Sequence, residues 1–506
     1  MQIPLLSLSL LLLSFQLQPL SIGGVKDAIS SDKEKDAIVT LHQQPLNILL
    51  LYADDWRHDT LSAAEGSKVI RTPFLDSLAK QGVRFRYNCV TTSICWISRA
   101  TLVTGQFYSR HRQAVIQPPI YFYDYWNETY PGLLKDHGYY LGHVGKWQLA
   151  NIPSDKYDFS RVYHGKHWIP APNRTDGRVH VTKKNEEDSL EFLKSRPRDK
   201  PFCLTVAFFA PHAEDSSLEQ YKPQPNSMSL YVNASVPLAP SATQDAWEAM
   251  PDFFTETNEG RKRWHWRFDT RWKYQRMMKN YFRMVTEVDS TCRAIVQELK
   301  NQGVLNNTLV IFTSDNGYFH SEHGLADKFF PHQESIRVPL IIRDPRMPAE
   351  KVGTTNDDFT LSIDLATTIL SAAGISPPAR MQGRDISELY RRELATHLDA
   401  NPWRKEFYYE FPLLFPKSEA LVRKDFKLIN WMYRKQENQG NNQEPMFDLK
   451  NATNDLELFS ALGMQEQLFD LKNDPWELKD VINRTENQEL LREMRGRLQE
   501  WREAVK

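Results

Sequence analysis

Cysteine is scarce in this sequence. The chain of 506 residues contains only four, at positions 89, 95, 203 and 292. Four cysteines are too few to build a disulfide scaffold of this length. The fold must therefore be held by its core, and 41% hydrophobic and 12% aromatic residues suffice for one large core and a smaller second unit. One cysteine can then have a chemical rather than a structural role.

An excess of charge of one sign is also missing. The sequence has 63 Lys and Arg residues against 64 Asp and Glu residues, which gives a net charge of −1. Nothing global therefore indicates a nucleic acid or an anionic membrane as a partner, and we expect no nucleic-acid partner. No internal repeat and no long low-complexity tract is evident.

Long apolar runs are missing after the N-terminus. The Leu/Ser-rich stretch Leu5–Leu20 is short for a membrane span, is interrupted by polar residues, and lies at the start of the chain. These features predict a cleaved signal peptide over about residues 1–24, followed by a flexible lead-in over 25–44. Because no second apolar stretch follows, we expect no membrane span in the mature protein.

Six Asn-x-Ser/Thr tripeptides fit a eukaryotic secretory route. With the signal peptide they predict a glycoprotein of the secretory pathway, and extracellular and lysosomal destinations both stay open. The predicted acceptors are Asn127, Asn173, Asn233, Asn306, Asn451 and Asn483.

Strand and helix patterns alternate through most of the chain. Leu46–Ala53, Pro201–Ala210 and Thr308–Ser314 are continuous apolar runs, which are typical of parallel strands buried on both faces. Tyr274–Gln302 has helical periodicity and ends before Gly303, a helix-stop signal. The alternation predicts an α/β fold, with a large, mostly parallel sheet sandwiched by helices.

The pattern changes near residue 395. Short strand candidates separated by polar turns replace the alternation, and a polar helix is predicted over Asn487–Lys506. We therefore predict a large domain over 45–394 and a smaller C-terminal α+β domain over 395–506 with an antiparallel sheet. The strand candidates are Glu406–Phe411, Ala420–Val422, Phe426–Trp431 and Gln467–Leu471.

Polar side chains follow three of the predicted strands. Asp54 and Asp55 come after the first, His212 follows another, and Asp315 and Asn316 follow a third. In such sheets ligands gather at the carboxyl ends of the strands. Paired buried carboxylates need a cation, and oxygen ligands favour Ca²⁺ or Mg²⁺. A solvated Asp pair is the alternative, but a carboxylate and an amide at a second strand end favour a metal site.

The stretch Gly260–Arg276 is rich in Arg, Lys and Trp. It is either an ordinary surface segment or a rim for an anionic sugar. Trp stacks on sugar faces, and Arg pairs with sulfate or carboxylate groups.

Cys95 begins the motif Cys-Trp-Ile-Ser-Arg-Ala-Thr-Leu-Val-Thr-Gly, which ends at Gly105. Taken alone, a cysteine is more often a buried structural thiol than a nucleophile. This motif, however, resembles the Cys-x-Pro-Ser-Arg-x-x-x-x-Thr-Gly consensus of the sulfatases, which belong to the alkaline-phosphatase-like superfamily. Further blocks resemble that family in the same order along the chain: Asn47–Asp55, Thr72–Ala79, Gly145–Trp147, Pro211-His212, Phe312–Gly317, His323–Lys328, Glu334–Leu340 and Gln467–Pro475.

The resemblance implies a sulfuric ester hydrolase that removes O-sulfate from a sulfated glycan or another sulfate ester. Its catalytic part would be the larger domain. In this family the formylglycine-generating enzyme converts the motif cysteine, here Cys95, to formylglycine, whose hydrated form attacks sulfur. The resemblance further implies one Ca²⁺ ion, facing the modified Cys95 and held by Asp54, Asp55, Asp315 and Asn316.

The same resemblance assigns four further roles. Arg99 would hold the side chain of residue 95 and the carboxylates that face the metal. Lys146 and Lys328 would clamp the sulfate oxygens. His212 would protonate the leaving alcohol, because an alkoxide leaves poorly.

Two positions depart from the family pattern. Ile97 replaces the usual Pro, and Gln148 stands where the family has His, although Gln cannot accept a proton at neutral pH. These departures leave open a catalytically silent, sulfatase-like glycan-binding protein. A phosphoesterase of the same superfamily is a further alternative, against which Cys95 and a single oxygen-rich site argue. Gln148, His320 and His323 are candidate substrate-side residues.

Overall fold

The computed structural model describes residues 45–64, 68–115, 125–149, 152–391, 401–413, 415–434 and 462–506. The predicted signal peptide and lead-in, the predicted boundary between 394 and 395, and the predicted acceptor Asn451 lie outside these ranges. In the part of the chain that is described, no helix is long and apolar enough to cross a membrane.

The strands fall into one large sheet, one C-terminal sheet and two short hairpins. Their bounds are β1 Asn47–Ala53, β2 Val83–Cys89, β3 Tyr140–Gly145, β4 Phe159–Val162, β5 Trp168–Pro170, β6 Arg178–His180, β7 Phe202–Ala207, β8 Thr308–Ser314, β9 Phe319–His320, β10 Ala326–Asp327, β11 Leu340–Arg343, β12 Thr354–Leu361, β13 Glu406–Phe411, β14 Lys417–Arg423, β15 Phe426–Arg434 and β16 Leu462–Asp470.

The large sheet has eight strands in the order β12-β2-β11-β8-β1-β7-β3-β4. Strand β11 runs antiparallel to both of its neighbours, and the other pairings in this sheet are parallel. The predicted, mostly parallel sheet is therefore confirmed. Its central strands β8, β1 and β7 place their carboxyl ends side by side.

Helices cover both faces of this sheet. One core contains residues of the helices Pro73–Lys80, Val181–Ser195 and Arg271–Asn301. The opposite core contains residues of Cys95–Thr104, Tyr130–Asp136 and Asp364–Ala372. The other helices are Tyr108–Val115, Gln244–Glu248, Glu259–Arg267, Gln333–Ile336 and Gln488–Ala504.

Strand β1 shows why the central strands are continuous apolar runs. Leu49 and Leu51 enter one core, whereas Ile48 and Leu50 enter the other, and all four side chains are fully buried. Successive side chains of a strand point to opposite faces, so a strand between two helical layers has no solvent-facing position.

The C-terminal region forms an antiparallel sheet in the order β13-β14-β15-β16, as predicted. The helix Gln488–Ala504 contributes Leu491, Met494 and Leu498, which lie on one face at helical spacing, to a core shared with this sheet. That core also contains Phe330, whose ring lies 6.1 Å from the ring of Trp431. The described residues from 45 onward belong to one compact unit.

Asp289 caps a helix far away in the sequence. Its Oδ2 accepts from the backbone N–H of Phe74 at 3.1 Å, and its Oδ1 accepts from that of Leu75 at 2.8 Å. The N-cap residue Thr72 makes no side-chain capping bond, so Asp289 satisfies these N–H groups in its place. Burial raises the pKa of Asp289 to about 6, despite these two hydrogen bonds.

Asp289→Ala should lower the free energy of unfolding by about 1–3 kcal/mol, because two buried N–H groups lose their acceptor. Asp289→Asn, the matched control, keeps one acceptor oxygen and should cost less at neutral pH. Since the folded pKa lies above the unfolded value of 3.8, the stability that Asp289 contributes is largest below pH 3.8 and is lost as pH rises through 6. Urea unfolding between pH 4 and pH 8 checks this, and an Asn variant with the parent's pH profile would contradict it.

Candidate active site

Four polar residues meet where β1 and β8 end. Asp54 and Asp55 follow β1, Asp315 and Asn316 follow β8, and all four are fully buried. The strands are parallel neighbours in register, which brings these residues to the same edge of the sheet. The backbone N–H of Asp55 donates to Asp315 Oδ1 at 3.3 Å. Asp55 has a φ of 58°, a left-handed conformation that a non-glycine residue adopts at an energetic cost.

Cys95 is the first residue of the helix Cys95–Thr104, and it is 3% exposed. Its Sγ donates to Asp54 Oδ1 at 3.2 Å. Burial raises the pKa of this thiol well above its ordinary value, and Asp315 and Asp54 raise it further. All four cysteines are buried and free, and Cys95 is the one that contacts the carboxylate pair in the described structure.

Arg99 lies one helical turn after Cys95 and connects two strand ends. It donates from Nη2 to Asp315 Oδ2 at 2.7 Å and from Nη1 to the carbonyl of Lys146 at 2.9 Å. Lys146 directly follows β3, and its ammonium group donates to Asp54 Oδ2. Both cations are almost fully buried, so their charges act on these carboxylates with little screening by solvent.

Lys328 is the second buried lysine of the site. Its Nζ donates to both carboxylate oxygens of Asp55, at 2.8 and 2.9 Å, and lies 3.1 Å from Asp327 Oδ1. Asp327 is itself bound by Arg263 and by Arg267. Sequence reasoning missed Asp327, although a carboxylate beside the predicted Lys328 was a signal that could have pointed to it.

His212 follows β7 after the cis peptide bond between Ala210 and Pro211. Its Nε2 lies 3.5 Å from Asp55 Oδ2, and its backbone carbonyl accepts from His167 Nε2 at 2.9 Å. Burial lowers the pKa of His212 to about 3, and Lys328 contributes in the same direction.

The carboxylates of the site differ in their electrostatic environments. Burial alone would raise the pKa of Asp54, but Lys146 and the other cationic neighbours together outweigh it and hold this pKa below the usual value. Burial raises the pKa of Asp55 well above its usual value, although Lys328 opposes this. Burial and then Asp54 raise the pKa of Asp315. Buried carboxylates this close together repel one another, and a cation between them would relieve the repulsion.

The donor set fits a hard divalent cation. Single ligand atoms of Asp54, Asp55, Cys95 and His212 all lie within 4.8 Å of one another. Asn316 donates its amide N–H to Asp55 Oδ1, and its amide oxygen is buried without a hydrogen-bond partner among the described residues. A buried amide oxygen without a donor costs free energy, and a metal ion would satisfy it.

The two positions that depart from the family pattern both lie close to the site in sequence. Ile97 is fully buried in the first turn of the helix that begins at Cys95. Gln148 has a φ of 64°, and its Oε1 is buried with no partner in the described parts of the chain. A role of Gln148 toward substrate stays a prediction.

The structure does not bring His320 and His323 into the cluster around Asp55. His320 packs on Tyr281 with ring centroids 4.8 Å apart, and His323 packs on His332 at the same distance. Both are almost fully buried, and burial lowers their pKa values, that of His323 to about 4. Their role as substrate-side residues stays a prediction, and their packing is that of structural histidines.

The basic, Trp-rich stretch is partly structural. Arg261 and Arg267 are buried, whereas Trp266 and Trp272 are 45% and 66% exposed. The five predicted glycosylation acceptors that the structure describes are all exposed: Asn127, Asn173, Asn233, Asn306 and Asn483.

Comparison with known protein families shows to which family this chain belongs. The sulfatase family profile matches residues 46–375, which is more than half of the chain. The chain belongs to the sulfatase family. A second profile, that of the N-sulphoglucosamine sulphohydrolase C-terminal region, matches residues 321–461. The family, the alkaline-phosphatase-like fold and the class of enzyme predicted from the sequence are thus confirmed.

Two curated relatives cover nearly the whole sulfatase chain. An N-acetylglucosamine-6-O-sulfatase of Bacteroides thetaiotaomicron is 25% identical over 531 residues, which span 91% of this chain and 87% of that protein. The human N-sulphoglucosamine sulphohydrolase is 28% identical over 489 residues, which span 90% of each protein.

Solved structures share the fold. One, in complex with D-glucosamine-2-N,6-O-disulfate, has a TM-score of 0.69 at 22% identity, and the match covers 91% of this sulfatase and 98% of that chain. A phosphonate monoester hydrolase from Silicibacter pomeroyi has a TM-score of 0.70 at 18% identity, with 91% and 96% covered. At these identities the likeness concerns the fold alone.

Proposed function

We propose that this sulfatase removes O-sulfate from a sulfated glycan, with residue 95 as the nucleophilic position. The observation that carries the proposal is the convergence of Cys95, three carboxylates and two buried lysines at one edge of the sheet. The names of the two curated relatives, both of which refer to sulfated glucosamines, support the substrate class.

Two groups that the gene does not encode directly, a metal ion and a modified residue 95, would complete the site. Asp54, Asp55, Asp315 and Asn316 would hold one Ca²⁺, which supplies Lewis-acid stabilisation to the oxygens of the sulfate group. The formylglycine-generating enzyme would convert Cys95 to formylglycine, which supplies the attacking hydroxyl. The close approach of ligand atoms from Asp54, Asp55, Cys95 and His212 and the unpartnered Asn316 oxygen support the metal part of this proposal.

The chain's own side chains would bind and orient the sulfate group. Lys146 donates to Asp54 and Lys328 donates to Asp55, so a sulfate placed beside this carboxylate pair meets two buried cations. Charge that develops on sulfate oxygens in the transition state is stabilised by such fixed cations. His212 Nε2 lies 3.5 Å from Asp55 Oδ2 and would deliver a proton to the leaving alcohol, once the negative charge of a bound sulfate ester raises the histidine pKa from about 3. Arg99 would keep Asp315 in place.

Hydrolysis of an N-sulfate is a second candidate, because the C-terminal profile and one curated relative carry the name of an N-sulphoglucosamine sulphohydrolase. Release of inorganic sulfate from glucosamine 6-O-sulfate and from glucosamine N-sulfate separates the two, with phenyl phosphate as the phosphoesterase control. We expect release from the O-sulfate. Release from the N-sulfate alone would favour the second candidate, and turnover of phenyl phosphate alone would overturn both.

Ile97→Pro should raise the fraction of Cys95 that is converted to formylglycine. Proline is tolerated in the first turn of a helix, where the N–H has no intrahelical acceptor, and the first helical bond here is donated by Ser98 to Ile94 at 2.9 Å. Mass spectrometry of the residue 95 peptide from a eukaryotic secretory host measures the aldehyde fraction. Ile97→Val is the matched control, and it should leave that fraction unchanged.

The same measurement tests the catalytically silent alternative. Unmodified cysteine in the parent and in Ile97→Pro, with no sulfate release from either, would support a silent glycan-binding protein. Aldehyde in the parent would contradict it. We also infer a secretory route for this sulfatase, which the exposure of the described acceptor asparagines supports.

A further inference from the structure

A groove of about 360 Å³ lies outside the catalytic cluster. Its volume is within the range of about 300–1,000 Å³ that is common for ligand pockets. Four cations line it, against one lining carboxylate, that of Glu219: Arg178, Lys222, Arg276 and Arg283. Aromatic rings are part of the same lining, from Trp168 and Tyr221.

Two arginines of the groove are pre-oriented on aromatic rings. The Arg178 guanidinium lies 5.1 Å from the ring centre of Trp168, and that of Arg276 lies 5.4 Å from that of Trp272. Both arginines are exposed, and stacking restricts their side chains while it leaves N–H groups for an anion. Within the described residues, Arg276 forms one ion pair, with the exposed Glu219 at 2.6 Å, and Arg178 forms none. Exposed ion pairs of this kind are weak.

The floor of the groove is positive as well. Arg283 is 8% exposed and donates to the carbonyls of Leu230 and Met228 and to Asn280 Oδ1, all neutral acceptors. These bonds fix the guanidinium but do not neutralise it. An anion above the floor therefore meets an uncompensated positive charge.

One segment of chain contributes residues both to the catalytic site and to the wall of the groove. The backbone carbonyl of His212 accepts a hydrogen bond from Nε2 of His167, the residue before Trp168. Glu214, two residues after His212, accepts from Lys222 Nζ at 3.0 Å. The segment 212–222 thus runs from the point where sulfate would react to the wall of the groove.

We propose that this groove binds a second anionic sugar of the same glycan chain, through its sulfate or carboxylate groups. The proposal rests on the proposed function and specifies it: the preferred substrate is an oligosaccharide with at least two anionic sugars, whereas a monosaccharide would contact only the catalytic residues. Arg pairs bidentately with sulfate or carboxylate, and Trp packs against sugar rings, so the lining supplies both kinds of contact.

Binding is measured on the Cys95→Ala protein, in which turnover cannot interfere, with a fluorescent heparin hexasaccharide as the probe. Adding Arg178→Ala and Arg276→Ala should weaken binding by at least about tenfold, because two charge-assisted contacts are lost. Arg492→Ala, an exposed arginine on the C-terminal helix, is the matched control and should change little. Unchanged affinity in the double variant, or an equal loss in Arg492→Ala, overturns the proposal.

Two further arms identify the anionic group and separate the proposals. A hyaluronan hexasaccharide carries carboxylates without sulfates: binding with the same arginine dependence assigns the groove to carboxylates, and absence of binding assigns it to sulfates.

The second arm is kinetic and uses protein in which Cys95 is intact. There, Arg178→Ala with Arg276→Ala should lower kcat/KM for the heparin hexasaccharide but not for glucosamine 6-O-sulfate. Arginine-dependent binding without sulfate release from any substrate would overturn the proposed function, and the proposal for the groove would still hold. Equal kcat/KM values in the parent and the double variant for both substrates would overturn the proposal for the groove, and the proposed function would still hold.

Discussion

Cys95→Ala should abolish sulfate release, with a loss in kcat of at least about 10³-fold. Among the four cysteines, Cys95 is the one that contacts the carboxylate pair in the described structure, through Asp54 at 3.2 Å. Removing it deletes the position from which any covalent attack on sulfur would start. Lys146, Lys328 and His212 are left in place, so binding of the sulfate group should persist and KM should change far less than kcat. Inorganic sulfate release from glucosamine 6-O-sulfate provides the measurement.

Cys203→Ala is the matched control for that experiment. Cys203 is equally buried, but it lies inside β7, in the core that also contains Tyr139 and Leu141, rather than at the strand end. Its truncation removes one buried sulfur and should lower stability by about 1–2 kcal/mol without changing kcat. Full activity of Cys95→Ala, or an equal loss in Cys203→Ala at a temperature where both are folded, would remove residue 95 from the mechanism.

The central strands were predictable from the sequence because burial on both faces leaves a continuous apolar run. The predicted strand Thr308–Ser314 coincides with β8, and Leu46–Ala53 differs from β1 by one residue. Strands β2 and β12 were not predicted. Arginines alternate with apolar residues in β2, and β12 begins with Thr, Thr, Asn, Asp and Asp, a composition typical of a loop. Pairing with β11 and with each other, not local propensity, holds them in the sheet.

The site was predictable only where strand order determines it. Asp54 and Asp315 lie 261 residues apart, yet each follows a strand of the same parallel sheet, and the rule on strand ends brings them together. The ion pairs of Asp327 with Arg263 and Arg267 join a hairpin to a helix, and no sequence period relates those elements. The groove around Arg178 and Arg276 depends in the same way on tertiary packing.

Removal of divalent cations with EGTA should lower the activity of the formylglycine-containing enzyme by at least about 10²-fold, and Ca²⁺ should restore it. Without the ion, the buried carboxylates of Asp54, Asp55 and Asp315 repel one another, and their lysine and arginine partners compensate for this only in part. The positive charge that polarises the sulfate group is lost as well. Mg²⁺ should restore less activity than Ca²⁺, because it demands a stricter octahedral geometry.

Thermal unfolding gives a readout of the same site that does not depend on turnover. Ca²⁺ at about 100 times its Kd should stabilise the folded state by about 2.7 kcal/mol, which corresponds to a rise in Tm of about 3 °C for a chain of this size. Asn316→Ala removes the unpartnered amide oxygen and should abolish most of this rise. Asp344→Asn is the control, since Asp344 is a buried acid paired with Arg346 away from the site, and it should keep the rise. A Ca²⁺ effect of the same size in Asn316→Ala and in the parent would place the ion elsewhere, and the oxygen cluster at the ends of β1 and β8 would then be held by Lys146, Arg99 and Lys328 alone.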